Sequence, residues 1–164
     1  MNWRLTWIEL RTLWLRQLAL RLEYKMLDCL ILGDSIAVGT HNFMTECRAY
    51  ATGGLNSHQW NHRYLGNKLK AETVIISLGT NDHKYVNTAE ELTRLREQVK
   101  GKNVYWVLPM GNSPKSEVPL EKIQDIIYQI ADVNGDAVIS TKRVQTDGIH
   151  PSWAGYKELA AQAR

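Results

Sequence analysis

From residue 27 onward, short apolar runs alternate with stretches in which apolar residues return every three or four positions. The runs are Leu27–Leu32 (broken only by Asp28), Cys47–Ala51, Thr73–Leu78, Val104–Leu108 and Ala137–Ile139, of a length that suits buried strands. Between them the spacing predicts helices over 57–70, 89–100, 119–132 and 152–163. Thr88 is expected to cap the second of these, with Glu91 completing a capping box and Gly101 ending it. Leu120, Ile123, Ile127 and Ile130 give the third an apolar face. Strands that alternate with helices in this way predict a parallel sheet covered on both faces.

The first 26 residues follow another pattern. Trp3, Trp7, Leu10, Trp14 and Leu18 recur at helical intervals, widened by Ile8, Leu15 and Leu22, and predict one helix over 2–25. Arg4, Arg11, Arg16, Arg21 and Lys25 face only Glu9 and Glu23 there, so the segment is a basic amphipathic helix. It can lie on a membrane surface or a foreign partner, pack on its own domain, or close a homodimer. Met26 opens the compact part cleanly, so a later translation start is a further reading. The expected division is an extension over 1–26 and one domain over 27–164.

Composition narrows the class. A chain of 164 residues with 44% hydrophobic and 23% charged residues suits one soluble domain. Its net charge of +3 gives no argument for a nucleic-acid partner. Neither a transmembrane run nor a secretory signal is evident, which favours the cytoplasm. Cys29 and Cys47 sit in runs that read as neighbouring strands, and are expected to be buried free thiols. No Cys or His pair has the spacing of a zinc site, and no cofactor is expected.

Three polar blocks follow strand ends. Gly33-Asp34-Ser35 ends the first strand, Gly79-Thr80-Asn81-Asp82 the third, and Asp147-Gly148-Ile149-His150-Pro151 precedes the last helix. In parallel sheets ligands bind beyond the carboxyl ends of the strands, so these blocks share one edge. Taken singly, each residue could be only a cap or a turn former. Together they supply the groups that acyl transfer from an activated hydroxyl requires. Asp147 and His150 are three residues apart, so the carboxylate can hold one ring nitrogen while the other takes the Ser35 proton. Activity that needs an unprotonated imidazole should rise from acid toward neutral pH. An oxyanion could be met by the Ser35 N–H, a glycine N–H from Gly53-Gly54 and the Asn81 amide.

In these blocks the sequence resembles the SGNH hydrolases, also called the GDSL esterase/lipase family, over about residues 27–164. The matching blocks are Gly33-Asp34-Ser35-Ile36-Ala37, Ala51-Thr52-Gly53-Gly54-Leu55-Asn56-Ser57, Gly79-Thr80-Asn81-Asp82 and Asp147 through Pro151. The resemblance implies a three-layer α/β/α sandwich with a roughly five-stranded, flavodoxin-like parallel sheet, and serine ester hydrolysis. It implies Ser35 as nucleophile, Asp147 and His150 as its partners, and Ser35, Gly54 and Asn81 as oxyanion donors, with Gly53 the other candidate in the loosest block. Ile36-Ala37 stands where the family name has Leu, which removes no chemistry.

Short loops imply an open site without a lid, suited to small acyl groups or acyl groups on a polymer. His41, His58, Trp60, His62, Tyr64, His83 and Tyr85 could offer rings and donors to a sugar, with His83 nearest the Asn81 block; they could equally be ordinary helix and loop residues. The leading expectation is a small-molecule or glycan ester substrate. The alternatives are a lysophospholipase or thioesterase brought to membranes by the first helix, and a non-catalytic glycan-binding module.

Overall fold

A computed structural model describes residues 6–26 and 28–164 of the chain. Of the features expected from the sequence, Trp3 and Arg4 in the first helix and Leu27 at the head of the first strand lie outside these residues. The first helix, α1, runs Trp7–Met26. Its start is fixed by Thr6: the Glu9 carboxylate accepts from the Thr6 N–H at 2.7 Å, and the Thr6 hydroxyl accepts from the Glu9 N–H at 3.3 Å.

Five strands then alternate with five helices: β1 Cys29–Gly33, α2 Ser35–His41, β2 Arg48–Ala51, α3 Ser57–Tyr64, β3 Thr73–Ser77, α4 Thr88–Gln98, β4 Asn103–Val107, α5 Leu120–Asn134, β5 Ala137–Ile139 and α6 Trp153–Gln162. The strands pair in parallel in the order β2-β1-β3-β4-β5. That is the flavodoxin-like order, which reverses direction between β1 and β3. Alternation along each strand divides the core. Leu30, Leu32, Val74, Ile76 and Trp106 face α3, α4 and α5, while Ile31, Ile75, Val107 and Ile139 face α2 and α6. The three-layer α/β/α architecture follows from this alternation.

Four local expectations are corrected. Cys29 and Cys47 are joined in a disulfide, with Cα atoms 4.7 Å apart. Leu30 is opposite Arg48, so the two cysteines occupy the rung before it, close enough to bond. Asn87, not Thr88, caps α4, accepting from the Glu90 N–H at 3.2 Å; Thr88 is instead buried and donates to Asp82. That helix stops at Gln98, before Gly101. The helix expected over 57–70 ends at Tyr64, where the chain turns toward the bottom of β3.

Candidate active site

Asp34 opens the site. Its Oδ1 accepts from the Ile36 N–H at 2.9 Å and starts α2 directly at Ser35. As the first helical residue, Ser35 has no acceptor one turn back, so its N–H remains at the positive end of the helix. Asp34 itself is fully buried, and its Oδ2 has no hydrogen-bond partner. Burial pushes its carboxyl up to about 7, and the neighbouring charge of Asp82 adds to this against the amides of Ile36 and Ala37.

Across the edge of the sheet, His150 meets Ser35, with Nε2 2.9 Å from the serine Oγ. His150 Nδ1 lies 2.6 Å from Asp147 Oδ2. Asp147 Oδ1 accepts from the backbone N–H groups of Ile149 at 2.9 Å and His150 at 3.0 Å. The bond to the imidazole, followed by these two amides, holds the Asp147 carboxyl down at about 2. It is therefore ionised throughout the neutral range. The side chains of His150 and Asp147 are 36% and 41% exposed, so water reaches the pair.

The glycine block and the asparagine block are tied to each other. Asn81 Nδ2 donates to the Leu55 carbonyl at 3.1 Å, which leaves its second N–H free of that bond. Asp82, fully buried, accepts from the Ser57 N–H at 2.7 Å, the Ser57 hydroxyl at 2.6 Å and the Thr88 hydroxyl at 2.8 Å. This anchors the start of α3, where Asn56 and Gln59 form a capping box. Gly54 has φ +80°, a conformation that favours glycine, and a side chain there would enter open space. Gly53 lies against Ser35: a Cβ on it would be 3.7 Å from Ser35 Cβ. Among the described residues no backbone carbonyl accepts from the N–H of either glycine.

Ser35, His150, Asp147, Asn81 and the two glycines therefore gather at the carboxyl edge of the sheet, as the strand-end positions predict. The expected ring cluster does not gather. Trp60 is 0% exposed, with its indole N–H bound to the Tyr50 carbonyl, so it belongs to the core. His41 bonds the Cys47 carbonyl at the opposite edge, where β2 begins. His58 pairs with Glu91, Tyr64 with Thr52, and His62 is exposed on α3. His83 remains beside the site, half-buried, accepting from the Tyr85 N–H at 3.2 Å. The buried roles of Asp34 and Asp82 had only one signal in the sequence: each adjoins a candidate residue within its block.

Serine, imidazole and carboxylate in this order can move a proton from the hydroxyl and stabilise the cation that results. Among the described residues no group of three or more His, Cys, Asp or Glu is arranged to hold a metal ion. No protein-family model matches this chain, and no curated relative does. Solved structures do. A GDSL-like lipase from Bacteroides thetaiotaomicron is 19% identical, with 90% of this chain and 95% of that chain covered and a TM-score of 0.62. The C-terminal catalytic domain of peptidoglycan O-acetyltransferase A from Streptococcus pneumoniae is 20% identical, with 82% and 90% covered and a TM-score of 0.62. A carbohydrate acetylesterase from Sinorhizobium meliloti is 16% identical, with 82% and 95% covered and a TM-score of 0.57. The chain has the fold of the SGNH, or GDSL-type, hydrolases.

Proposed function

We propose that this protein is a serine ester hydrolase that removes short acyl groups, acetyl above all, from a carbohydrate. The reading is carried by the unbroken chain from Ser35 Oγ through His150 to Asp147, at 2.9 and 2.6 Å. In this mechanism Ser35 Oγ attacks the ester carbonyl while His150 Nε2 takes its proton. Asp147 holds the imidazole in the right tautomer and stabilises the imidazolium. The oxyanion is met by the N–H groups of Ser35 and Gly54 and by Asn81 Nδ2. His150 then returns the proton to the departing alcohol. Water, activated by the same nitrogen, cleaves the acyl-enzyme and regenerates Ser35.

Acetyl on a sugar is favoured by the openness of the site: both glycines are exposed, and a bulky polymer can approach. Of the proteins that share this fold, one is a carbohydrate acetylesterase and one a peptidoglycan O-acetyltransferase domain. His83, two residues beyond Asn81, is the proposed contact to the alcohol side. The Cys29–Cys47 disulfide supports an oxidising compartment rather than the cytoplasm, where such bonds are rare.

One observation favours a second reading. The exposed apolar side chains of α1 could bring a lysophospholipase or thioesterase to lipid. Rates on p-nitrophenyl acetate, butyrate and octanoate separate the two. A preference for acetate, with acetate released from an O-acetylated polysaccharide, is expected; a preference for octanoate would favour the lipid ester.

A further inference from the structure

All five strands start on one edge of the sheet, and that edge is basic. Arg48, Lys68, Lys70, Lys100 and Lys102 line a shallow hollow there, opposed only by Asp28 and Glu72. All five basic residues are exposed. Lys102 approaches Glu72 at 4.0 Å; the other four have no ion pair with a described residue. Lys70 and Lys100 are direct neighbours in a parallel bridge, held by the Ala71 N–H on the Lys100 carbonyl and the Lys100 N–H on the Leu69 carbonyl. Like charges placed side by side repel, so this arrangement costs stability unless something anionic meets it.

The same edge receives α1. Met26 ends that helix two residues before Asp28, so connectivity alone holds its C-terminus within about 7 Å of the basic hollow. Every residue from Thr6 to Arg21 is exposed, including Trp7 at 80% and Trp14 at 61%. Apolar residues are spread around much of its circumference, and the helix carries Arg11, Arg16, Arg21 and Lys25 against Glu9 and Glu23.

We propose that α1 and the basic edge dock together onto a bilayer that contains anionic lipid. Tryptophan suits the boundary between headgroups and acyl chains, and lysines near a charged leaflet each strengthen the attraction. A soluble polyanion would satisfy the lysines but leave both tryptophans in water. A second copy of this chain would bring basic surfaces against each other. The occupant that fits both features is the anionic bilayer.

The inference goes beyond the esterase reading and does not depend on it. Ser35, Asn81 and the glycines sit at the other end of strands five residues long or nearly so, about 16 Å away. A docked molecule therefore turns its candidate site away from the lipid, toward material carried above the membrane.

The test is co-sedimentation of the full chain with vesicles of phosphatidylcholine, alone or mixed with phosphatidylglycerol. Binding only to the anionic vesicles, weakened by salt, is expected. Replacing Lys68, Lys70, Lys100 and Lys102 with Gln should lower partitioning by at least about 100-fold while the thermal melt is retained. A second variant, Trp7→Ala with Trp14→Ala, should lose binding without touching the basic edge. Equal binding to both vesicles, binding to neither, or a dimer in sedimentation that ignores vesicles would overturn the proposal. So would binding to soluble polyphosphate that matches vesicle binding and survives loss of the tryptophans. None of these readouts uses ester hydrolysis, so the two readings fail separately.

Discussion

Asp147 holds His150 at two points: Oδ2 lies 2.6 Å from the ring Nδ1, and Oδ1 accepts the backbone N–H of the same residue at 3.0 Å. The ring and its main chain are therefore oriented by one carboxylate, which fixes the nitrogen that faces Ser35. Asp147→Asn keeps the size of the side chain but offers an N–H where the ring needs an acceptor. The variant should fold normally and lose about 10³–10⁴-fold in kcat. Steady-state kinetics beside a thermal melt check this; a loss under tenfold would remove Asp147 from the mechanism.

Gly111, in the loop after β4, is packed against this same turn. A Cβ on it would stand 2.3 Å from the Gly148 carbonyl oxygen, so the backbone between Asp147 and His150 would have to move. The same loop reaches the asparagine block through the Ser113 N–H on the Thr80 carbonyl at 3.2 Å. Gly111→Ala should lower kcat by about 10²-fold with KM little changed, since misplacement of about 1 Å has effects of that size. Gly66→Ala, whose added carbon meets nothing within 4 Å, should leave kcat unchanged.

Asp34 gives the stability a pH dependence of definite sign. Its carboxyl lies near 7 in the fold, above the usual value of about 4 in an unfolded chain. The folded protein thus binds the extra proton between those values. Stability from the neutral carboxyl is fully present below about pH 4 and is lost as pH rises through about 7. Asp34→Asn retains an oxygen for the Ile36 amide and cannot ionise. Melting temperatures at pH 5 and pH 8 should fall further for the wild type than for the variant. Parallel shifts in the two proteins would contradict this account of Asp34.

The disulfide joins the first two strands through residues 18 positions apart in the chain. A cross-link over that length stabilises by about 3 kcal/mol in the chain-entropy model. Reduction, or Cys29→Ser with Cys47→Ser, should lower the denaturation midpoint accordingly and leave ester turnover in place, because both cysteines lie at the edge opposite Ser35. An unchanged midpoint would mean that the bond carries no stability.

The sequence was most legible where the information is local. Strand ends, the serine block and the Asp147–His150 pair depend on neighbours within a few residues, and the sheet places them as the spacing predicts. What stayed hidden depends on distant packing. The Cys29–Cys47 bond needs the register of β1 on β2, which neither run displays alone. Trp60 looked like a surface ring because α3 is short and polar, yet its indole closes the core beneath Tyr50. Thr88 has the profile of a helix cap, and only the buried Asp82 draws its hydroxyl inward while Asn87 takes over the cap. The bond between Asp82 and Ser57 spans 25 residues, beyond any local pattern.

Hydrolysis of p-nitrophenyl acetate by the wild type beside Ser35→Ala tests the central claim most directly. The account predicts steady turnover by the wild type, with an acyl group covalently held on Ser35 before release, and a fall of at least about 10³-fold in the variant. Equal rates in the two proteins would show that Ser35 is not the nucleophile, and the proposed mechanism would fail with it.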